Sequence, residues 1–301
     1  MSTAEAAIPR HEHAIRHELT IAKAVITGEH FVYKSGRHGD TYVDCDRLFV
    51  RPASLKPVLG HWCMRWFESR SAEEKPEVVI APAVGGVYLV AAFAFHSQYW
   101  TLKTVWADKD RDDFVLDRSG FAEAVDGRRV LVLEDVITTG GSAVKTANVV
   151  RAAGGDVVGI ACIVNRSRAT TAETLGVPRF TAGVQLDIPS FAPGELPDEL
   201  ASRPIVTNLA HGAAFREENP GYAAGFTTLD LDSKIPFGEV RTVRYQDGAR
   251  NVTEVRGKIL EPDHREHPEA EILLQITAPD GDHRGGYLAL SRWQISRISP
   301  E

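Results

Sequence analysis

The sequence predicts an α/β protein with a mainly parallel sheet flanked by helices, followed by a small all-β, barrel-like domain. Between about residues 78 and 164, short apolar segments alternate with helix-length segments, as in parallel sheets covered on both faces. After about residue 215 the pattern changes to alternating strands separated by turn signals. The length of 301 residues and the hydrophobic fraction of 43% suit two modest domains. We therefore predict one domain over residues 1–214 and another over residues 215–301.

The first part of the chain predicts two helices with two short strands between them. The first helix covers about residues 11–28 and ends at Gly28, because glycine commonly terminates helices. The two strands and the second helix follow in the order Phe31–Tyr33, Thr41–Val43 and Ser54–Glu68. Trp62 and Trp66 recur at helical spacing, so we expect them in the core rather than at a ligand site.

The middle of the chain predicts the parallel sheet. Its strands are the apolar segments Val78–Ala81, Thr101–Ala107, Val130–Glu134 and Val157–Val164. Helices follow the first strand, up to about His96, and the third strand, over Ser142–Ala153. The stretch Asp108–Arg118 is charged and has little apolar content, so we predict a mobile surface loop there.

The C-terminal part predicts strands without a long helix. The predicted strands are Arg241–Tyr245, Val252–Leu260, Glu271–Thr277 and Tyr287–Leu290. Turn signals at Asp247-Gly248 and at Pro279-Asp-Gly281 separate them. This pattern is the basis for the predicted all-β domain.

The charge of the chain excludes some classes of partner. The net charge is −7, and residues 215–301 carry 15 acidic and 11 basic side chains. Broad binding to nucleic acid or to an anionic membrane requires a basic surface. We therefore expect neither nucleic acid nor a membrane as a partner.

The cysteines and the apolar runs indicate the compartment. Cys45, Cys63 and Cys162 lie far apart and form no CxxC pair, which favours reduced thiols over a disulfide framework. Charges occupy the N-terminus where a signal peptide needs its apolar core. The longest apolar run, near Val87–Phe95, is too short to span a bilayer. We expect a cytoplasmic protein.

The segment Val130–Ser142, VLVLEDVITTGGS, carries the chemistry. An apolar strand ends at the adjacent carboxylates Glu134 and Asp135, and a loop of small and hydroxyl residues then opens a helix. In such a loop the backbone N–H groups can approach an anion, and the helix N-terminus adds positive potential. The loop residues are Thr138, Thr139, Gly140, Gly141 and Ser142. The segment therefore predicts a phosphate cradle.

The two carboxylates restrict the kinds of ligand that this segment can bind. They would repel a phosphate unless they bind vicinal hydroxyls or a magnesium-bearing ligand. A ribose with a 5-phosphate satisfies both halves of the segment. The structural alternative is that Ser142 only caps the helix and Asp135 only makes a turn.

This segment resembles the phosphoribosyl pyrophosphate (PRPP) motif of type I phosphoribosyltransferases. Further segments make the chain, over roughly residues 15–212, similar to the orotate phosphoribosyltransferase family. These segments are Lys34-Ser-Gly-Arg37 with Tyr42-Val43, Ile80–Val87, Asp108-Lys109 and Val164-Asn-Arg166. Asp108 stands where the family usually has Glu or Arg, and Asn165 stands where it commonly has Asp.

The resemblance implies a type I phosphoribosyltransferase fold and a reaction of orotate with PRPP that gives orotidine 5′-phosphate and pyrophosphate. It also implies a homodimer, with Mg²⁺ bound through PRPP and through Glu134 and Asp135. The implied PRPP-binding residues are Glu134, Asp135, Thr138, Thr139, Gly140, Gly141, Ser142, Val84, Gly85 and Gly86. The implied base-binding residues are Lys34, Tyr42, Val43 and Arg166. The implied catalytic residues are Lys109, Asp108, Arg111 and Asp135.

Two other functions remain open at this stage. One is phosphoribosyl transfer to another base, a purine or a different pyrimidine. The other is a non-catalytic regulator that binds PRPP. Each predicted cation also has a structural alternative: a solvated turn for Lys34, a solvated charge run for Lys109 and Arg111, and a surface ion pair for Arg166.

Overall fold

The computed structural model describes residues 9–229, 240–246, 252–260, 272–276, 287–290 and 295–298. The chain divides into two compact units, each made of two segments. The first unit contains Met1–Glu18 and Cys45–Asp187, and the second contains Leu19–Asp44 and Ile188–Glu301. The predicted boundary between residues 214 and 215 stays a prediction. No described helix is long and apolar enough to cross a bilayer.

The helices have the following bounds: α1 Arg10–Ile21, α2 Asp46–Phe49, α3 Lys56–Cys63, α4 Gly85–Ser97, α5 Phe121–Val125, α6 Gly141–Ala152, α7 Asp198–Ala201 and α8 Gly212–Glu218. A 3₁₀ turn, Pro52–Leu55, precedes α3, and a π-helical turn, Met64–Glu68, follows it. Together these three elements form the helix that was predicted from Ser54 to Glu68. Trp62 and Trp66 are buried in it, as predicted.

The first unit is built on a six-stranded sheet. Its strands are β3 Val78–Pro82, β4 Lys103–Asp110, β5 Asp113–Val115, β6 Arg129–Ile137, β7 Asp156–Asn165 and β8 Phe180–Gln185. Their order is β5-β4-β3-β6-β7-β8, and all neighbours are parallel except β4 and β5. Most apolar residues of β3, β6 and β7 are almost fully buried, which explains the apolar sequences of these strands. The predicted α/β sheet is confirmed.

Two predictions in this part of the chain are wrong. The first helix ends at Ile21, not at Gly28, because the β-branched residues that start at Val25 continue as a strand through Gly28. The charged stretch from Asp108 is a β-hairpin rather than a loop, since β4 runs to Asp110 and pairs antiparallel with β5. Asp108 faces Val115 in this register.

The second unit contains a four-stranded and a five-stranded sheet. Strands β1 Val25–Val32, β2 His38–Val43, β9 Ile205–Val206 and β10 Phe226–Thr227 form the first, in the order β10-β9-β1-β2. Strands β11 Val240–Gln246, β12 Val252–Leu260, β13 Ile272–Ile276, β14 Tyr287–Leu290 and β15 Ile295–Ile298 form the second, which is antiparallel. The four predicted C-terminal strands are therefore present. The predicted turns at Asp247-Gly248 and Pro279-Asp-Gly281 lie outside the described residues.

A buried histidine pair joins three segments of the second unit. His30 Nε2 lies 2.7 Å from His38 Nδ1, and His30 Nδ1 lies 3.1 Å from the backbone oxygen of Arg203. Both rings are almost fully buried. Burial lowers the pKa of His30 from its usual value of 6.5 to about 4. The fold therefore holds this ring neutral.

This pair predicts a loss of stability in acid. A base whose pKa is depressed by folding stabilises the fold above its unfolded pKa, and this stabilisation is lost as the pH falls from 6.5 toward 4. Between these two pH values the free energy of unfolding should fall by an amount on the order of 3 kcal/mol. Thermal melts between pH 7 and pH 4 should show a shallower pH slope for His30→Asn than for the wild type. The exposed His13 provides the control, since His13→Asn should leave the slope unchanged.

Candidate active site

The predicted phosphate cradle lies at the carboxyl end of β6, in the middle of the first unit's sheet. Strand β6 ends at Ile137, and α6 begins at Gly141 after three connecting residues. Gly140 has φ +81°, a conformation that side chains other than glycine rarely adopt. A Cβ at this position would also collide with Cδ2 of the buried Leu175. The turn into α6 therefore requires glycine at position 140.

The N-terminus of α6 is open to an anion. Gly140 is the N-cap residue, and no side chain caps the helix. Ser142 lies inside the helix, so the alternative that it serves only as the cap is wrong. The first amides of a helix have no intrahelical acceptor and carry the positive end of the helix dipole. Thr139 and Gly141 are exposed beside them, which leaves room for a phosphate group.

The two carboxylates lie within β6 rather than after it. Glu134 is 8% exposed, and Asp135 is half-buried. Asp135 Oδ1 accepts a hydrogen bond of 2.6 Å from the N–H of Val136. Burial raises the pKa of Asp135 above its usual value, and the negative charge of Asp46 raises it further. A cation or a hydroxyl donor at this position would therefore be strongly favoured.

Asp46 is a candidate site residue that the sequence prediction missed. It is exposed at the start of α2 and acts electrostatically on Asp135. A Cβ built on Gly85 would lie 3.7 Å from Asp46 Oδ1. Asp46 therefore lies near the predicted pyrophosphate loop and acts on one of the β6 carboxylates. Its own sequence context, Asp44-Cys-Asp46, has no motif that could have revealed this role.

The predicted pyrophosphate loop connects β3 to α4. Val84 precedes the helix, and 87% of its surface is exposed. Gly86 packs so closely on β3 that a Cβ would collide with the Cβ of Ala81. Gly86 thus has a packing function, whereas Val84 and Gly85 are both exposed to solvent. Their contact with pyrophosphate stays a prediction.

The β4–β5 hairpin presents the predicted catalytic residues. Lys109 and Arg111 are exposed, and Arg111, in the turn, has φ +52°. Asp108 instead accepts two hydrogen bonds from Arg118, at 2.6 and 3.0 Å. The Arg118 guanidinium also lies 5.1 Å from the centroid of the Trp106 ring. The structure therefore gives Asp108 a role in holding the hairpin.

The tip of this hairpin contacts the helix that follows the cradle. Lys145, on α6, donates a hydrogen bond to the backbone oxygen of Asp112. The hairpin and the phosphate cradle are thus connected through α6. The sequence did not indicate this contact, because Lys145 lies in an ordinary amphipathic helix pattern.

Arg166 follows the last residue of β7, beside the cradle. Its N–H donates a 2.8 Å hydrogen bond to the backbone oxygen of Ile137, the last residue of β6. The Arg166 side chain is only 5% exposed. Next to it, Asn165 Nδ2 donates to Gln185 Oε1 at 2.9 Å and to the Thr170 oxygen at 3.3 Å. An amide side chain thus orders this turn.

The other predicted base-binding residues belong to the second unit. Lys34 is exposed in the turn between β1 and β2, Tyr42 is half-buried, and Val43 is buried. The ring of Tyr42 packs 5.6 Å from that of Phe31. Arg37 is bound to Ser190 through its guanidinium, so it has a structural role. Base binding by Lys34, Tyr42 and Val43 stays a prediction.

The described residues contain no group of three or more His, Cys, Asp or Glu side chains that could hold a metal ion alone. Glu134 and Asp135 offer the oxygen ligands that Mg²⁺ prefers, but they are too few for a complete site. They fit a magnesium ion only when a ligand such as a diphosphate supplies further oxygens.

Comparisons with known proteins show the family of this chain. Residues 57–187 match the model of the phosphoribosyl transferase domain family. The orotate phosphoribosyltransferase of Caldanaerobacter subterraneus subsp. tengcongensis is 35% identical over 173 residues, which are 58% of this chain and 84% of that protein. That of Bartonella quintana is 35% identical over 185 residues, 62% of this chain and 90% of that protein.

The chain is also similar to a solved structure. It is orotate phosphoribosyltransferase from Mycobacterium tuberculosis H37Rv in complex with 5-phospho-α-D-ribosyl 1-diphosphate, with 23% identity and a TM-score of 0.43. The match covers 57% of this chain and 96% of that one. The two sequence relatives are 35% identical to the chain, which covers 84% and 90% of their lengths. The chain therefore belongs to the orotate phosphoribosyltransferase family.

Proposed function

We propose that this chain transfers the 5-phosphoribosyl group of PRPP to orotate, which gives orotidine 5′-phosphate and pyrophosphate. The observation that carries this proposal is the uncapped N-terminus of α6, preceded in β6 by Glu134 and Asp135. This arrangement offers donors to a phosphate and acceptors to ribose hydroxyls a few residues apart. Both groups occur together in a 5-phosphoribosyl donor.

In the proposed reaction the cradle holds the 5-phosphate through the amides and hydroxyls of Thr138–Ser142. Glu134 and Asp135 accept hydrogen bonds from the ribose hydroxyls and so fix the orientation of C1. A nitrogen of the base then forms a bond to C1 as the bond to pyrophosphate breaks, through a transition state with oxocarbenium character. The proton released from the base nitrogen goes to solvent, and no protein nucleophile is needed.

Magnesium is part of the proposal as a partner of PRPP. Bound to the diphosphate, Mg²⁺ would neutralise charge on the leaving group. Glu134 and Asp135 are the residues that would bind it from the protein side. A cation there would offset the burial that raises the pKa of Asp135.

Lys109 is proposed to stabilise the leaving pyrophosphate, with Arg111 as a second cation. Both are exposed on the β4–β5 hairpin, whose tip contacts α6. Lys109→Ala should therefore lower kcat by about 10²–10³-fold while PRPP affinity changes little, since the charge acts mainly in the transition state. Steady-state kinetics and PRPP titration measure the two effects. Lys56, exposed on α3, is the matched control, and a Lys109→Ala enzyme as active as Lys56→Ala would refute the assignment.

The identity of the base that accepts the phosphoribosyl group is the remaining part of the proposal. Arg166 is a buried cation beside the cradle and suits a base that carries a carboxylate. A panel of orotate, uracil, hypoxanthine and adenine, each with PRPP and Mg²⁺, tests this through pyrophosphate release. We expect release with orotate at least 100-fold faster than with the others. Activity with hypoxanthine but not with orotate would overturn the choice of base.

We also propose that the protein acts as a cytoplasmic homodimer and that its C-terminal part is a separate all-β domain. The family resemblance supports the dimer. The absence of a CxxC pair in the sequence supports a reducing compartment, as does the burial of Cys45, Cys63 and Cys162, which form no disulfide with one another. The antiparallel sheet of β11–β15 supports the all-β domain.

A further inference from the structure

A charged cavity, separate from the phosphate cradle, lies at the amino ends of the first unit's strands. It has a volume of about 220 Å³ and opens where β3, β4 and β6 begin. The phosphate cradle lies at the other end of the same sheet, after β6. Strand β6 has nine residues, so about 26 Å separates its two ends at a rise of about 3.3 Å per residue. One small ligand cannot reach both sites.

Hydrogen bonds to backbone oxygens hold the walls of this cavity. The N–H of Glu77 donates to the Arg129 oxygen at 2.8 Å, and the N–H of Lys103 donates to the Glu77 oxygen at 3.0 Å. Arg129 Nε donates to the Lys75 oxygen at 2.7 Å. These bonds connect the starts of three neighbouring strands. The cavity is therefore preformed.

The lining is strongly basic in an acidic protein. Lys75, Lys103, Arg128 and Arg129 line the cavity, with Glu77 as its one carboxylate. Glu77 forms ion pairs of 3.3 Å with both arginines. Among the described residues, no ion pair is formed by Lys75 or Lys103. Because the whole chain has a net charge of −7, a local excess of positive charge here is a specific feature that attracts anions.

One wall of the cavity is aromatic. The ring of Tyr99 stacks on that of Phe67 at a centroid distance of 4.2 Å, and Lys75 Nζ lies 5.6 Å from the Tyr99 centroid. A flat ring in the same lining as two lysines suits a ligand with a planar or sugar group next to its charge. The volume exceeds that of a few waters, each about 30 Å³, but is below the roughly 300–1,000 Å³ of drug-sized pockets. A phosphate or diphosphate group fits this size.

We propose that this basic pocket binds a phosphate-bearing anion at a site separate from the phosphate cradle. The phosphate has two possible sources, inorganic pyrophosphate and the 5′-phosphate of a nucleotide. Lysines and arginines would bind the phosphate in either case. Only a nucleotide would also use the Tyr99 ring.

Calorimetric titration of the full chain tests this proposal, with pyrophosphate and uridine 5′-monophosphate as separate probes. The wild type should bind two equivalents of at least one probe per chain. Lys75→Glu/Lys103→Glu should weaken one site at least tenfold and leave the other unchanged. Lys56→Glu, which reverses a charge on α3 outside the pocket, should bind as the wild type does. Lys103→Ala, a milder change at an exposed position, should weaken the same site about threefold and serves if the double variant does not fold.

The two sources give different results in the same titrations. If pyrophosphate occupies the second site and Tyr99→Leu leaves its affinity unchanged, the ligand is the inorganic anion. If the nucleotide occupies it and Tyr99→Leu weakens it, the ligand is a nucleotide. A wild type that binds one equivalent of each probe, or a double variant that keeps both sites at wild-type affinity, would overturn the proposal.

Discussion

Gly140→Ala should lower both the stability of the protein and its affinity for PRPP. The left-handed backbone at φ +81° costs a residue with a Cβ about 1–2 kcal/mol. The collision with the buried Leu175 adds about 1–3 kcal/mol, because core overpacking forces neighbours to move. The shift would displace the first amides of α6, which hold the 5-phosphate in our account. We expect a melting temperature lower by roughly 5–15 °C and PRPP binding weaker by about 10–100-fold.

Gly127→Ala separates backbone strain from the effect on the cradle. Gly127 has φ +64°, but a Cβ there would meet no atom within 4 Å. It should therefore destabilise the protein by the backbone cost alone and leave PRPP affinity unchanged. Thermal melts and PRPP titration of the two variants provide the comparison. Equal PRPP affinities for the two variants would show that the turn at Gly140 does not position the donor phosphate.

Asp135→Asn should remove most of the activity without destabilising the fold. The variant keeps the acceptor that binds the N–H of Val136 but loses the charge that orients the ribose and attracts magnesium. We expect kcat/KM to fall by about 10²–10³-fold. A destabilised protein would lose activity for another reason, so the melting temperature must be measured alongside the kinetics.

The pKa of Asp135 gives this variant a second signature. Folding raises this pKa, mainly by burial. An acid of this kind favours the fold while it is protonated, and that contribution is lost as the pH rises through the raised pKa. Once the pH exceeds this raised pKa, the charged Asp135 opposes folding. Under those conditions Asp135→Asn should have a melting temperature equal to or above that of the wild type. A marked drop in melting temperature would indicate a structural rather than a ligand-binding role.

The part of the site that lies in one continuous segment could be predicted from the sequence. In Val130–Ser142 the strand, the acids, the loop and the helix follow each other directly, so local pattern and site coincide. The end of β6 was placed three residues early, at Glu134 instead of Ile137. The sequence did not show that the strand continues past these acids, because two carboxylates interrupt its apolar pattern.

The parts assembled from distant segments could not be predicted. Asp46 joins the site only because α2 lies near the start of α4 and Asp46 acts electrostatically on Asp135 of β6. The basic pocket brings together Lys75, Lys103 and Arg129 from the starts of three strands. The hairpin at Asp108 was missed because the charged residues from Asp108 to Asp113 surround its turn. They hide the apolar contacts that Phe114 and Leu116 make with the core.

The most direct test of the central claim is product formation by the full chain with orotate, PRPP and Mg²⁺. Chromatography with mass detection should find orotidine 5′-phosphate and pyrophosphate in equal amounts, formed at least 100-fold more slowly by Asp135→Asn. If PRPP binds but no nucleotide forms from orotate, the chain lacks orotate phosphoribosyltransferase activity, and the proposal is contradicted.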